Sequence, residues 1–582
     1  MFSLIRRFTK SYTKNLIIAS ICIVIESLLE ISCPYLMSLL LDKGLISLEN
    51  GSYDLNYDVV ITLSIVMIVC SVMAFVFGFI FAINVAKFSK GLAYEIRKKA
   101  YLKIKELSFS NFDQISTSSL LTRLTTDVNI IGDTLSTCFR PLFRSPVMFI
   151  ATLIIAISTS PELSIVFIIV PPILATIMFL IIRYVKPRYI KIQKSIDEIN
   201  SISKESIISI KNIKSYVKED FQEQKFNTLN ENLKNLSFQT MSKNALMLPA
   251  YEATMFLTIV CLLFLGGYLS LNENYASIVV NISMFLTLVL QLMATVNMMA
   301  SVSLQYNKSK ASISRIEEFF NFKSEIINKK DSPYKIKDGI IEFKHVYFSY
   351  NNDENYVLKD INFKIDKNKF VGILGQTGSS KSTIIYLILR FYDCTKGEIL
   401  IDGINIKDYP IDEIRKNFSI SFQTPFLFSG TILENITWGL DSYSMEDVIK
   451  ASKITCSYDF INNDLPNGFQ SLVSEGGTNL SGGQRQRICL TRAIMLNPKL
   501  LILDDSFSAL DKITEAKVKE NIKKELINTT KIVISQKISA IKDSDEIIVL
   551  NSGTISSIGI HDDLKTHDPI YKDINSIQNE GL

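Results

Sequence analysis

The 582-residue sequence predicts two folds in series: an all-α bundle of six transmembrane helices, and an α/β domain built around a phosphate-binding loop, or P-loop. Three observations predict this. Hydrophobic residues make up 47% of the chain and the mean hydropathy is +0.23, high for a protein that meets only water. Apolar residues before position 305 gather into six runs, each near the ~20 residues that a bilayer core demands of a helix. Beyond residue 340 short β-rich runs alternate with helical segments, and one stretch, FVGILGQTGSSKSTIIYLIL, reads as a strand, a glycine-rich turn and a helix start. The expected division is 1–320 for the membrane part, 321–340 for a linker containing the turn-forming DSPY, and 341–582 for the α/β part.

The six runs are 16–41, 59–85, 141–158, 163–185, 246–271 and 277–304. The first is too long for a cleaved signal peptide and lacks a small-residue cleavage site. Lys and Arg are retained on the cytoplasmic side of a membrane, so their distribution orients the bundle. Arg6, Arg7, Lys10 and Lys14 precede the first run, and the loops after the first, third and fifth runs contain only Lys43 among basic residues. Both termini are therefore expected in the cytoplasm. The inner connections, 86–140 and 186–245, keep helical periodicity and are too long for structureless loops. They read as spans continuing into the cytoplasm, with turns near 109–119 and 210–218.

Glu26 and Glu30 lie four residues apart on one face of the first span, near mid-membrane. An ionisable group in hydrocarbon is costly and turns toward protein or a wet cavity. Two readings stay open: a cation-attracting wall of a substrate path, or a pair neutralised by protonation or internal hydrogen bonds. Arg140 and Arg144 are expected at the inner end of the third span, where basic side chains can snorkel.

Composition excludes several classes. The net charge is only +4 and no basic tract interleaves with aromatics, so nucleic acid is not an expected partner. Eight cysteines lie far apart without a C-x-x-C pair, against a disulfide framework or a zinc site. Three histidines in the whole chain leave little for histidine-based metal or triad chemistry.

In the α/β part, Gly375, Gln376, Thr377, Gly378, Ser379, Ser380, Lys381, Ser382 and Thr383 follow G-x-x-x-x-G-K-[ST]. Backbone N–H groups and a helix N-terminus surround phosphates in such a loop, the lysine pairs with them, and the hydroxyl binds Mg²⁺. Ser380 departs from the pattern, standing where glycine precedes the lysine. Downstream, LSGGQRQR (480–487) sets a serine and a glycine pair at a helix start, suited to holding an anion. LLILDD (500–505) is a buried strand ending in acid, a way to place the carboxylate of Asp504 near Mg²⁺. Each alone could be a surface turn or a core strand. In this order behind a phosphate loop they make ATP and Mg²⁺ the expected ligands.

Over nearly its whole length the chain resembles a half-transporter of the ATP-binding cassette (ABC) exporter superfamily, six helices ahead of one cassette. The resemblance implies a type IV exporter-like membrane domain in a bacterial plasma membrane, surrounded by membrane lipids and moving a small amphipathic substrate. It implies that Tyr350 in HVYFSY stacks on adenine and that Gln423 in SFQTPFLFSG contacts Mg²⁺ and the membrane domain. Ser481, Gly482, Gly483 and Gln484 would grip a nucleotide held by the opposite cassette. Asp504 would orient Mg²⁺, SALD (508–511) would cross the dimer interface, and Glu475 would touch the cytoplasmic loops.

Two further positions depart from the family pattern. The acid after the Mg²⁺-binding aspartate, which positions or activates water, is normally Glu; here it is Asp505, one methylene shorter, and a misplacement of about 1 Å can cost roughly 100-fold in rate. Gln536 in KIVISQKISAIKDSDEIIVL stands where His is expected to contact the γ-phosphate. It can donate a hydrogen bond but carries no positive charge. Weakened catalytic positions beside an intact signature resemble the degenerate-site subunit of heterodimeric bacterial multidrug exporters, whose partner is a second half-transporter with the Glu and His in place. The alternatives are a homodimeric exporter with slow hydrolysis, or an ATP-gated channel or regulatory sensor.

Overall fold

The computed structural model describes residues 8, 11–47, 53–269, 275–351, 353–376 and 378–580. Arg6, Arg7 and Lys10, used above for orientation, lie outside them. The chain divides into two compact units, Met1–Lys105 with Thr117–Phe322, and Glu106–Ser116 with Lys323–Leu582.

The first unit is helical. Helix α1 (Thr13–Gly44) connects through a small antiparallel hairpin, Leu45–Ser47 with Tyr53–Leu55, to α2 (Tyr57–Glu106). The short α3 (Phe109–Gln114) belongs to the second unit, after which the chain returns as α4 (Thr117–Thr122), a π-helical turn (Arg123–Asp127) and α5 (Val128–Thr159). Then come α6 (Pro161–Ile208), α7 (Ile210–Ser215), α8 (Glu219–Asn244), α9 (Met247–Leu269) and α10 (Tyr275–Asn321). Ser160 starts α6 by accepting a hydrogen bond from the Leu163 N–H, with Pro161 just inside the helix where a missing N–H costs nothing. The 50 residues of α2 extend about 75 Å, against a hydrocarbon core of about 30 Å. Its C-terminal half, with Lys98, Lys99, Lys103 and Lys105, therefore lies in water.

Among the described residues, five helical stretches are long and apolar enough to cross a membrane: Thr13–Gly44, Tyr57–Glu106, Thr117–Thr159, Pro161–Ile208 and Glu219–Leu269. The sixth expected run, 277–304, falls in α10, and its described part includes the apolar stretch Val280–Val296. A core of Leu163, Phe167, Leu174, Leu262, Phe285, Leu288 and Leu292 joins α6, α9 and α10. Nearer the water-facing end, buried Asp127 accepts two hydrogen bonds from Arg315 of α10 (2.9 and 2.5 Å), and buried Arg123 meets Glu318 at 3.2 Å.

The two acids of the first span are paired. Arg140 of α5 donates to Glu26 of α1; Arg144 donates to Glu30 at 2.6 Å and lies 3.8 Å from Glu26. Because both acids and both arginines are spaced i, i+4, the helices carry a two-rung ladder between them. Gly78 of α2 makes room for it, since a Cβ there would stand 3.2 Å from the Glu26 carboxylate. This corrects the expected snorkelling of Arg140 and Arg144. Of the two readings of Glu26 and Glu30, these contacts supply internal hydrogen bonding, with the side chains of Arg140 46% and Glu30 38% exposed.

Among the described residues the second unit holds two large sheets, besides a two-stranded antiparallel pairing of Gly430–Thr431 with Leu472–Val473. Strands β1 (Ile341–Phe348), β2 (Leu358–Ile365), β4 (Lys396–Ile401) and β5 (Ile404–Asn405) form an antiparallel sheet in the order β2-β1-β4-β5. The others are β3 (Phe370–Gly375), β6 (Phe418–Ser421), β7 (Leu500–Asp504), β8 (Thr530–Ser535), β9 (Glu546–Asn551) and β10 (Thr554–Gly559), in the order β10-β9-β3-β8-β7-β6. All pair in parallel except β10. Parallel strands covered on both faces read as continuous apolar runs, as FVGILG and LLILD do. Parallel pairing aligns their carboxyl ends, so Gly375, Ser535 and Asp504 emerge along one edge, where ligands of such sheets sit.

Candidate functional site

From the end of β3 the chain turns through the glycine-rich loop into α11 (Lys381–Ile388). A side chain at Gly375 is impossible, because its Cβ would lie 2.4 Å from Ser379 Oγ and 2.7 Å from the Leu550 carbonyl. Gly378 has φ +83, the left-handed region glycine enters freely. Ser380 takes φ +69 and ψ 26, so it bends the loop as a glycine would, at a strain of roughly 1–2 kcal/mol. Its departure from the sequence pattern therefore does not change the course of the backbone. Thr377 lies outside the described residues.

The buried Lys381 ammonium donates to the carbonyls of Gly375 (2.7 Å) and Gln376 (2.8 Å) and to Ser379 Oγ (3.4 Å). Burial holds its pKa below the usual lysine range. Ser382 Oγ donates to Asp504 Oδ2 at 3.1 Å. Burial pushes the Asp504 carboxyl above the ordinary aspartate range, and the neighbouring Asp505 adds to that. Asp505 sits at φ +45, its N–H donating to the Ile534 carbonyl at 3.0 Å. Burial raises its pKa too, opposed by the Lys537 ammonium and a hydrogen bond from the Gln423 side chain. Gly378, Ser380, Lys381, Ser382, Thr383, Gln423, Asp504, Asp505, Ser535 and Gln536 line one cleft of about 250 Å³.

Tyr350 stands beside this cleft, 38% exposed. Its hydroxyl shares a hydrogen bond with Thr383 Oγ1 at 3.0 Å, and its ring packs edge-on against Phe348 and Tyr392. Ser481, Gly482, Gly483 and Gln484 are not in the cleft lining. Ser481 caps α12 (Gly482–Met495) in a reciprocal box: Gln484 N–H donates to Ser481 Oγ at 3.3 Å, and Ser481 N–H donates to Gln484 Oε1 at 2.9 Å. Gly483 packs against the 508–511 segment, a Cβ there meeting the Ala509 carbonyl at 3.0 Å.

The residues fit a magnesium nucleotide. Lys381 and the first amides of α11 supply positive potential for phosphates. Ser382, Gln423 and Asp504 bring a hydroxyl, an amide and a carboxylate oxygen, the hard donors that Mg²⁺ takes. A buried carboxylate pushed toward its neutral form has most to gain from a nearby cation. Sequence reasoning missed Lys537 as a charge facing Asp505, and it missed Tyr392, which joins Tyr350 to α3. The only signal for Tyr392 was an aromatic pair, Phe391 and Tyr392, directly after α11.

Comparison with known proteins agrees with these features. Residues 16–296 match the ABC transporter transmembrane region family and residues 358–508 match the ABC transporter family. The chain is 35% identical to the uncharacterized ABC transporter ATP-binding protein YknU of Bacillus subtilis (strain 168), over 83% of each protein. It is 31% identical to YfiB of the same organism over 98% of this chain and 97% of that one. It is 29% identical to an ATP-dependent lipid A-core flippase of Haemophilus influenzae (strain 86-028NP), over 98% of this chain and 96% of that one. A solved structure of a bacterial Atm1-family ABC exporter with ATP bound superposes with a TM-score of 0.80 at 21% identity, covering 98% of each chain.

Proposed function

The chain belongs to the ABC transporter family and has the type IV exporter fold, and from that premise we propose that it is the degenerate-site subunit of a heterodimeric exporter. It is a multi-pass membrane protein with an ATP-binding domain. The proposed arrangement is a six-span membrane domain over 1–320, a linker over 321–340 and a cassette over 341–582, with both termini cytoplasmic in a bacterial plasma membrane.

One observation carries the reading: Asp505 and Gln536 line the same cleft as Lys381, whereas the capping box at Ser481 and Gln484 is whole. In this cleft the Lys381 ammonium and the α11 amides would balance phosphate charge, and Ser382, Gln423 and Asp504 would hold Mg²⁺. Mg²⁺, when bound, would supply positive charge against the developing charge of the phosphates. Asp505 has the charge to attract a water proton but one methylene less reach, and Gln423 already engages it. Gln536 donates to a γ-phosphate without charge assistance. The cleft therefore retains ATP longer than it cleaves it. The signature, 481–484, completes a hydrolytic site on the partner's phosphate loop, and ATP-driven closure reaches the membrane helices through the turns at 111–116 and 211–216, giving alternating access. The cargo is an amphipathic compound, drug-like or lipid-like, the latter favoured by relatives named as lipid flippases.

The test is phosphate release from the purified chain in lipid nanodiscs, alone and with a second half-transporter carrying Glu and His at the two positions. The pair should exceed the lone chain by about 100-fold. Turnover by the lone chain at the rate of the pair would leave the homodimeric exporter; ATP-dependent conformational change without cargo-stimulated turnover would favour the channel or sensor.

A further inference from the structure

Helix α3 is distant in sequence from the α/β domain yet folds as part of the second unit. It is pinned there by three kinds of contact. Asn111 Oδ1 accepts from the Ser108 N–H and hydroxyl, and Asn111 Nδ2 donates to the Lys323 carbonyl at 3.3 Å. The Phe109 ring stacks on Phe391, centroids 4.1 Å apart and 21° from parallel. The Tyr392 hydroxyl donates to Asp113 Oδ2 at 2.6 Å, the length of a charge-assisted bond.

Tyr392 has a second neighbour. Its ring meets Tyr350 at 90° with centroids 5.2 Å apart, and the Tyr350 hydroxyl is tied to Thr383 in the first turn of α11. Thr383, Tyr350, Tyr392 and Asp113 thus form an unbroken chain of contacts from the phosphate-loop helix to α3. Edge-on rings at this distance are in van der Waals contact, so a base settling on Tyr350 displaces Tyr392 or is resisted by it. Burial and the Asp113 charge keep the Tyr392 phenol protonated far above its ordinary range, so it remains the donor.

We propose that Tyr392 is a positioning residue that reports nucleotide-base occupancy at Tyr350 to α3 through its hydroxyl on Asp113. The relay rests on the nucleotide reading above. The relay is engaged by the base on Tyr350; Thr383, which lines the cleft beside Lys381, only anchors the Tyr350 hydroxyl. Phe109 on Phe391 keeps α3 docked whether or not the hydroxyl bond is present, so docking and signalling are separable.

The experiment is hydrogen exchange with mass spectrometry on the full chain in nanodiscs, comparing no ligand, MgATP and magnesium tripolyphosphate. In the wild type MgATP should slow exchange at 375–383 and at 109–114, whereas tripolyphosphate, lacking a base, should slow only 375–383. Tyr392→Phe should lose the MgATP response at 109–114 and keep it at 375–383. Asp113→Asn, which retains an acceptor, should keep most of the response, and Asp113→Leu should behave like Tyr392→Phe. A full response at 109–114 in Tyr392→Phe, equal loss in both Asp113 variants, or a tripolyphosphate response at 109–114 would overturn the relay while leaving the nucleotide reading intact. Absence of any MgATP protection at 375–383 in the wild type would overturn both.

Discussion

At the scale of a residue, the question is whether the Asp505 carboxylate can prime water. Its backbone is in the left-handed region, where Asp is tolerated better than most side chains, and its carboxyl is flanked by Gln423 and Lys537. Asp505→Glu restores the missing methylene and should raise phosphate release at this chain's own cleft by about 10- to 100-fold. Asp505→Asn should change it less than about twofold, since a group that contributes little to the barrier costs little to neutralise. A tenfold loss with Asn would mean that the short carboxylate already works as the base. The short acid was visible in LILDD, because a motif exposes its own departures. Its surroundings were not: Gln423 and Lys537 reach it from the end of β6 and the end of β8, and strand order does not follow from spacing along the chain. Ser380 shows the converse, a departure plain in sequence whose consequence disappears once φ is known.

At the scale of an element, α1 and α5 are joined by the Glu26–Arg140 and Glu30–Arg144 rungs. Each rung is half-buried, so removing one side strands the other charge at less than the ~3–5 kcal/mol of a fully buried pair, whereas removing both sides costs much less. Replacing Glu26 and Glu30 together by Gln should therefore lower the thermal unfolding temperature in detergent, and adding Arg140→Gln and Arg144→Gln should recover part of the loss. Export of cationic and neutral compounds should fall together in the double variant. Selective loss of cation export at an unchanged unfolding temperature would favour the cation-attracting wall. The i, i+4 spacings of the acids and of the arginines were both legible in sequence. Their meeting was not, because α1 and α5 sit in runs with apolar residues on every face, which say that a helix is in lipid without saying which neighbour it faces. The turns near 109 and 210 were expected because the inner connections are long and helical and must reverse, while the assignment of α3 to the second unit depends on Phe391, Tyr392 and Lys323, far along the chain.

At the scale of the whole molecule, the two folds in series were legible because a 20-residue apolar run and an alternating β/α pattern are different periods, but a second subunit leaves no period in the first one's sequence. On the proposed function, the chain carries an asymmetry that only an assembly can express. If this chain's signature, 481–484, serves the partner's phosphate loop, and its own phosphate loop serves mainly to hold nucleotide, the two halves of its cassette should respond unequally to damage. In the co-purified pair, Lys381→Ala should lower ATP occupancy of this chain's cleft, seen with a photoreactive nucleotide, yet reduce steady-state turnover no more than about threefold, under 1 kcal/mol on the barrier. Ser481→Ala, which removes the α12 cap at a local cost of about 1 kcal/mol, should reduce turnover by tenfold or more, because the damaged amides face the site that cleaves. A homodimer predicts equal loss from the two substitutions, since each cleft there needs both its own lysine and its neighbour's serine, and either substitution stops both sites. Equal loss from Lys381→Ala and Ser481→Ala in the pair would place hydrolysis in this chain's own cleft, and the degenerate assignment of Asp505 and Gln536 would fall with it.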